Sequence, residues 1–253
     1  KGGIDTVSYD NTQNDDGFTP SGIVANLLLG TVVDAAGNTD RLSNIENIYG
    51  SPYDDNITGD NSANKLEGRE ENDTLTGGAG NDTLNGGTGD DILDGGTGND
   101  TLDGDQGDDT LYGGGGGGAN LINGGAGDDT ITLTGSTVHE GKFAHNVGSN
   151  TQVGTNVQIS LTGKVKIQSV IDGGADVDTI NLSSSGDAFF LHDSFSGFHS
   201  SLTLTTDTHT GGQSTQRILN VETINGLGGD DIIDLTSPDY SLAGQVITIN
   251  GGT

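Results

Sequence analysis

Residues 77–104 run GGAGNDTLNGGTGDDILDGGTGNDTLDG, one nine-residue phrase three times over. Each copy places glycine at its first position, an acid at its sixth and an aliphatic at its eighth. Glycines at positions one, two and four allow positive φ, so the chain can turn sharply and aim its carbonyls inward. The acid adds a hard, charged oxygen to that ring. A flexible all-oxygen cage suits Ca2+, which takes about 6–8 such ligands at roughly 2.3–2.6 Å. Zinc or copper would call for His or Cys, and the copies hold neither.

Those residues need a scaffold, and the period supplies one. Copies begin at Gly50, Gly59, Gly68, Gly77, Gly86, Gly95 and Gly104 and, after Gly113 and Gly114, at Gly115 and Gly124. Position six is Asp55, Asn64, Asp73, Asp82, Asp91, Asp100, Asp109, Asn120 and Asp129. Position eight is Ile57, Leu66, Leu75, Leu84, Leu93, Leu102, Leu111, Ile122 and Ile131. Segments such as DTL and DIL favour strand and point one aliphatic inward per copy. Stacked copies predict parallel sheets joined by ion-filled turns around a thin aliphatic core.

Composition makes the ions a structural need. Eight basic residues against 37 acidic ones leave a net charge of −29, only 29% of the chain is hydrophobic, and there are 46 glycines. That balance is the usual mark of disorder, which a strict period with an aliphatic in every copy contradicts. The chain has no Cys, Met or Trp, so disulfide staples are excluded. So much negative charge disfavours nucleic acid and anionic membranes as partners. The longest apolar patch, IVANLLLGTVV at 23–33, is too short for a membrane span. The opening KGGID shows no signal peptide, and the chain is expected to be an excerpt of a longer one.

The phrase resembles the calcium-binding nonapeptide GGxGxDxUx of the RTX (repeats-in-toxin) family. Copies 77, 86, 95 and 124 match throughout, and copy 104 departs at Asp105. The resemblance implies an all-β fold: a parallel β-roll or β-solenoid, two copies per turn, flanked by wider β-solenoid or β-sandwich-like linking segments. Each ion would sit between one loop and the next on the same side. Loops 50, 68, 86, 104 and 124 then line one edge, and loops 59, 77, 95 and 115 the other, for about seven Ca2+ sites. The implied metal ligands are Asp55, Asp73, Gly78, Gly80, Asp82, Gly87, Gly89, Asp91, Gly96, Gly98, Asp100, Gly107, Asp109, Asn120, Gly125, Gly127 and Asp129. Asn64 predicts weak binding in copy 59, while Arg69 and Glu71, standing where the family has glycine, predict a different turn in copy 68.

A coarser duplication flanks the repeats. NIENIYGSPYDDNIT at 44–58 aligns with NVETINGLGGDDIID at 220–234, and GGIDTVSY at 2–9 with GGADVDTINL at 173–182. Asp231 becomes the counterpart of Asp55 and joins the ligands. Asp178 is a weaker candidate because Asp176 replaces a glycine before it. Strands such as GIVANLL and SLTLTT should extend the same sheets, and TGK at 162–164 marks a turn between strands. The division is 1–49 linking β segment, 50–132 roll, 133–219 irregular β segment, and 220–253 a second repeat start. All five histidines (His139, His145, His192, His199 and His209) and five of six phenylalanines lie in 139–209. No close metal-type spacing occurs, so a local aromatic core with exposed histidines is expected there.

No GxSxG, HExxH or P-loop occurs, and the adjacent His192-Asp193-Ser194 cannot adopt triad geometry. A calcium-bound carboxylate is a poor proton shuttle, so no catalysis is expected in this chain. The resemblance implies a secreted or cell-surface bacterial structural segment (S-layer, adhesin or filament type) that folds on Ca2+ outside the cell. The alternative is the calcium module of a secreted enzyme or toxin whose catalytic domain lies outside this chain. Solenoid ends need caps and neither terminus offers one, which predicts homotypic contact or neighbouring sequence there.

Overall fold

A computed structural model describes residues 3–9, 21–34, 37–115, 120–132, 138–145, 157–166, 170–182, 187–190, 218–227, 232–234 and 246–251. Side chains alternate along a strand, so a three-residue strand such as Thr74–Thr76 or Ile92–Asp94 buries only its middle residue. All nine position-eight aliphatics are fully buried. Eighteen residues, two copies, complete one coil. The strands pair in parallel with Ile57, Leu75, Leu93, Leu111, Ile131, Ile180 and Ile224 in one column. Ile48, Leu66, Leu84, Leu102, Ile122 and Ile171 form the facing column. Among the described residues the first sheet has eight strands, from Thr6–Ser8 to Ile218–Leu219, and the second has eleven. With one inward aliphatic per copy the core is thin, so the turns must contribute to holding coils together.

Loops 50, 68, 86, 104 and 124 lead into the second sheet and form one edge, called edge one below. Loops 59, 77, 95 and 115 lead into the first sheet and form edge two. The roll continues past the nonapeptides: Val170–Ala175 pairs with Leu121–Ala126, and Thr179–Asn181 with Thr130–Thr132. Between those coils a hairpin leaves the solenoid. Val138–His145 pairs antiparallel with Val157–Lys166, and Asp187–Phe190 and Ile232–Asp234 join them in a third sheet of four strands.

One expectation is corrected. TGK is no turn: Gly163 sits inside the continuous strand Val157–Lys166, opposite His139, because the partner strand pairs with it throughout that stretch. At its N-proximal end the second sheet continues past the roll. Beyond Val24–Asn26 it adds the antiparallel strands Thr31–Val33 and Thr39–Arg41. Val32 is buried there, while the outermost strand is fully exposed and carries Asp40 and Arg41, charges that discourage further strand pairing. SLTLTT at 201–206 and the aromatic side chains of 139–209 lie outside the described residues.

Candidate metal centre

The sixth-position aspartates form a ladder along each edge. On edge one the backbone N–H groups of Asp55, Asp73, Asp91, Asp109 and Asp129 donate to the Oδ1 of the aspartate one coil on, ending at Asp178, at 2.7–3.0 Å. On edge two Asn64, Asp82 and Asp100 donate likewise to Asp82, Asp100 and Asn120, at 2.8–2.9 Å. Each carboxylate is thus locked between coils by one oxygen. The other oxygen is buried without a hydrogen-bond partner in Asp73, Asp82, Asp91, Asp100, Asp109, Asp129 and Asp178.

An unsatisfied buried polar atom costs about 1–3 kcal/mol, and more when charged. Burial accordingly pushes these groups above the usual carboxylate value. Asp73 rises to about 8, with Asp55 and Asp91 adding repulsion, and Asp109 to about 7. Asp91, Asp100, Asp129 and Asp178 rise to about 6, and Asp82 is also raised. Among the described residues no three His, Cys, Asp or Glu side chains converge. A cation here must therefore draw most of its ligands from backbone carbonyls, which suits calcium and not zinc.

The glycines fit that picture, though not all for the expected reason. In the glycine-rich copies positions two and four take positive φ, as Gly78 (104°) and Gly80 (130°) illustrate. Position one does not. A Cβ on Gly77 would lie 2.5 Å from Asp82 Oδ2 and 2.7 Å from the Gly95 carbonyl oxygen of the next coil. Any side chain at position one would fill the space where carboxylate and carbonyl meet. The different turn expected of copy 68 is corrected too. Arg69 (φ 103°) and Glu71 (φ 64°) adopt the left-handed backbone despite their side chains, and Arg69 keeps register with Gly87. Strand pairing to the neighbouring coil overrides the local preference.

The predicted ligands separate into groups. Asp73, Asp82, Asp91, Asp100, Asp109 and Asp129 each keep a buried, unpartnered oxygen beside the position-one glycine of the same copy, in a roll whose Gly78, Gly80, Gly87, Gly89, Gly96, Gly98, Gly107, Gly125 and Gly127 take positive φ. Asp55 differs: its Oδ1 accepts from Ile23 N (2.7 Å) and Ser51 Oγ (2.8 Å), and its Oδ2 from Ser51 N (2.6 Å). Asn120 donates its amide to the Gly113 carbonyl, and Asn64 donates to the Glu46 carbonyl at 2.8 Å. An N–H stands in those two turns where a cation would otherwise meet the carbonyl. Asp231 lies outside the described residues. Asp178, rated weaker from sequence, belongs to the ladder, because Asp176 reaches φ 81° without being glycine.

Two features escaped the sequence reading. Position five carries a second ladder of opposite sense: Asn72, Asp90, Asp108 and Asp128 donate their N–H to Asp54, Asn72, Asp90 and Asp108, one coil back, at 2.8–3.0 Å. The clue was that Asp or Asn occupies that position all along edge one. Glu46 and Glu222 also take the sixth-position role, accepting from the N–H of Asp5 (2.8 Å) and Asp178 (2.9 Å). Their signal was RLSNIE at 41–46 echoed by RILNVE at 217–222, a turn that contains no glycine.

Residues 43–75, 58–93, 67–102, 85–117 and 115–135 match the four-copy model of the RTX calcium-binding nonapeptide repeat. Comparison with curated proteins finds no match. With its loops, coil period and buried acids in place, the segment 43–135 is a run of RTX calcium-binding nonapeptide repeats, a structural calcium-binding module.

Proposed function

We propose that the chain is a calcium-dependent structural segment of a secreted or cell-surface bacterial protein, of S-layer, adhesin or filament type, that folds when it meets Ca2+ outside the cell. The observation that carries this is the set of seven buried, unpartnered carboxylate oxygens stacked along the two edges. A bound calcium ion supplies two positive charges and a hard acceptor for oxygen lone pairs. Asp73, Asp82, Asp91, Asp100, Asp109 and Asp129 hold it through their free oxygens, and the glycine-rich loops contribute carbonyls. Asp55, Asn120 and Asp231 remain candidates in the outer loops. About seven ions would offset close to half of the −29 charge.

Binding and folding then form one equilibrium, since the loops close only when their acids are neutralised. Extracellular calcium modules have Kd of about 10⁻⁴–10⁻³ M. Such sites stay empty in a low-calcium cytosol and fill outside, which suits export of an unfolded chain. The segment 1–49 leads into the 50–132 roll, 133–219 adds an irregular β segment, and 220–253 starts a second set of repeats. Circular dichroism with calcium and with excess chelator tests the reading. A strand spectrum is expected only with calcium, and an unchanged spectrum under full chelation at neutral pH would end the proposal.

A further inference from the structure

The turns at 42–46 and 218–222 share one design. Asn44 (φ 56°) and Asn220 (φ 49°) take the left-handed backbone, and Ile45 and Val221 turn toward the core. The Asp5 carbonyl accepts from the N–H of Glu46 (3.1 Å) and Asn47 (3.2 Å). The Asp178 carbonyl accepts in the same way from Glu222 (3.2 Å) and Thr223 (3.0 Å). Each glutamate returns a carboxylate oxygen to the N–H of its aspartate.

The aspartates differ. Asp5 is exposed. Asp178 is 1% exposed, and its Oδ2 has no hydrogen-bond partner. A Cβ placed on Gly173 would lie 2.5 Å from that oxygen and would overlap the Asn220 carbonyl oxygen. The pocket thus has the composition of the regular loops, a carboxylate oxygen facing a carbonyl of the next coil. Here that carbonyl comes from a glycine-free turn, and a second carboxylate, that of Glu222, is held one hydrogen bond from the Asp178 backbone.

We propose that Asp178, Glu222 and the Asn220 carbonyl form a calcium site of their own, which clasps the coil across the 44-residue step from Asp178 to Glu222. This rests on the calcium reading above and adds a site that the nonapeptide pattern does not contain. The buried Asp178 carboxylate, with one oxygen orphaned and the half-buried Glu222 carboxylate beside its backbone, needs a cation to offset its desolvation, and an all-oxygen set selects a hard one. The step it closes carries Asp187–Phe190 into the third sheet, so the clasp ties together the two ends of that strand's excursion from the roll. Its twin at Asp5 and Glu46 lacks a buried orphan oxygen and closes without an ion.

The test is equilibrium dialysis of the full chain against radioactive calcium, paired with hydrogen exchange at saturating calcium. Glu222→Gln keeps an oxygen for the Asp178 N–H, so its turn still closes. It should bind one ion fewer than the parent and lose at least tenfold protection at residues 218–227, while the Asp91 and Asp109 amides stay unchanged. Asp178→Asn should also lose one ion, and Glu46→Gln none. An unaltered ion count and protection in Glu222→Gln would overturn the clasp. An ion lost from Glu46→Gln as well would assign binding to the glutamate turn alone and overturn the pairing with Asp178. A parent chain that binds no calcium at all would instead overturn the function proposed above.

Discussion

The two edges of the roll share the same coils and the same aliphatic columns, yet they are built differently. Edge one carries aspartate at position six from Asp55 to Asp178, and Asp54, Asp90, Asp108 and Asp128 beside it at position five. Edge two has Asp82 and Asp100 bracketed by Asn64 and Asn120, with Ala63, Asn81, Asn99 and Ala119 at position five. The difference lies in what occupies the space between loops. The edge-two amides donate to the carbonyls of Glu46 and Gly113, so those turns satisfy themselves. Edge one leaves its oxygens unpartnered through five successive loops, from Asp73 to Asp178. Demand for cations is therefore polarised across a molecule whose core is symmetric.

Acidification without metal should produce the largest effect. The edge-one carboxylates have folded pKa values raised above the ordinary 3.8, to about 8 for Asp73 and about 7 for Asp109. A raised folded value means that the folded form binds protons more tightly than the unfolded one. The metal-free fold is then fully favoured below about 3.8 and loses that support as pH climbs through about 6 to 8. In chelator, the strand spectrum is expected to return as pH falls from 8 toward 4. In calcium the dependence reverses, because protons displace the ion. Asp73→Asn should let the metal-free fold survive to higher pH, since it removes the group whose ionisation opposes the fold most. A metal-free chain that stays unfolded at pH 4 would refute the polarised picture.

Exchanging the edges' residues should have a middling effect. Asp91→Asn gives edge one a neutral side chain of the kind edge two uses at Asn64. In chelator it should stabilise the fold by about 1–3 kcal/mol, the cost of one unsatisfied buried group, while lowering the ion count. Asn120→Asp should do the opposite, weakening the metal-free fold and steepening its calcium dependence. Urea denaturation at several fixed free-calcium levels reads both. Equal and same-signed changes would erase the distinction between edges.

Much of this was legible because the aliphatic period and the acid period are the same nine. Leu75, Leu84, Leu93 and Leu102 announce two sheets, and Asp73, Asp82, Asp91 and Asp100 announce two edges. The rest was hidden for physical reasons. Position one looked like a turn glycine, but the space beside Gly77 is taken by Asp82 Oδ2 and the Gly95 carbonyl, a contact made between coils and not within one loop. Position five looked free because Asp and Asn serve equally well as acceptors, as Asn72 between Asp54 and Asp90 illustrates. The glutamate turns escaped a search keyed to glycine, since Asn44 and Asn220 reach the left-handed region by another route. Strand pairing also carried TGK through a ladder that local propensity would have broken.

The smallest expected effect concerns loop 68, where Arg69 and Glu71 both hold positive φ without being glycine. Glu71 stands at position four with φ 64°, where a side chain costs roughly 1–2 kcal/mol relative to glycine. The regular copies place Gly80, Gly89, Gly98, Gly107 and Gly127 at this position, all at positive φ. Glu71→Gly should therefore relieve local strain and also remove one negative charge from the crowded edge. Against this, glycine frees the unfolded chain by about 0.4–1 kcal/mol. The two terms leave a net gain of about 0.5–1 kcal/mol, visible as a higher urea midpoint at saturating calcium with an unchanged slope. The gain should be larger at low calcium, where the extra charge is least screened by bound ions. A loss of stability under both conditions would mean that the acidic side chain, and not the backbone angle, decides this position.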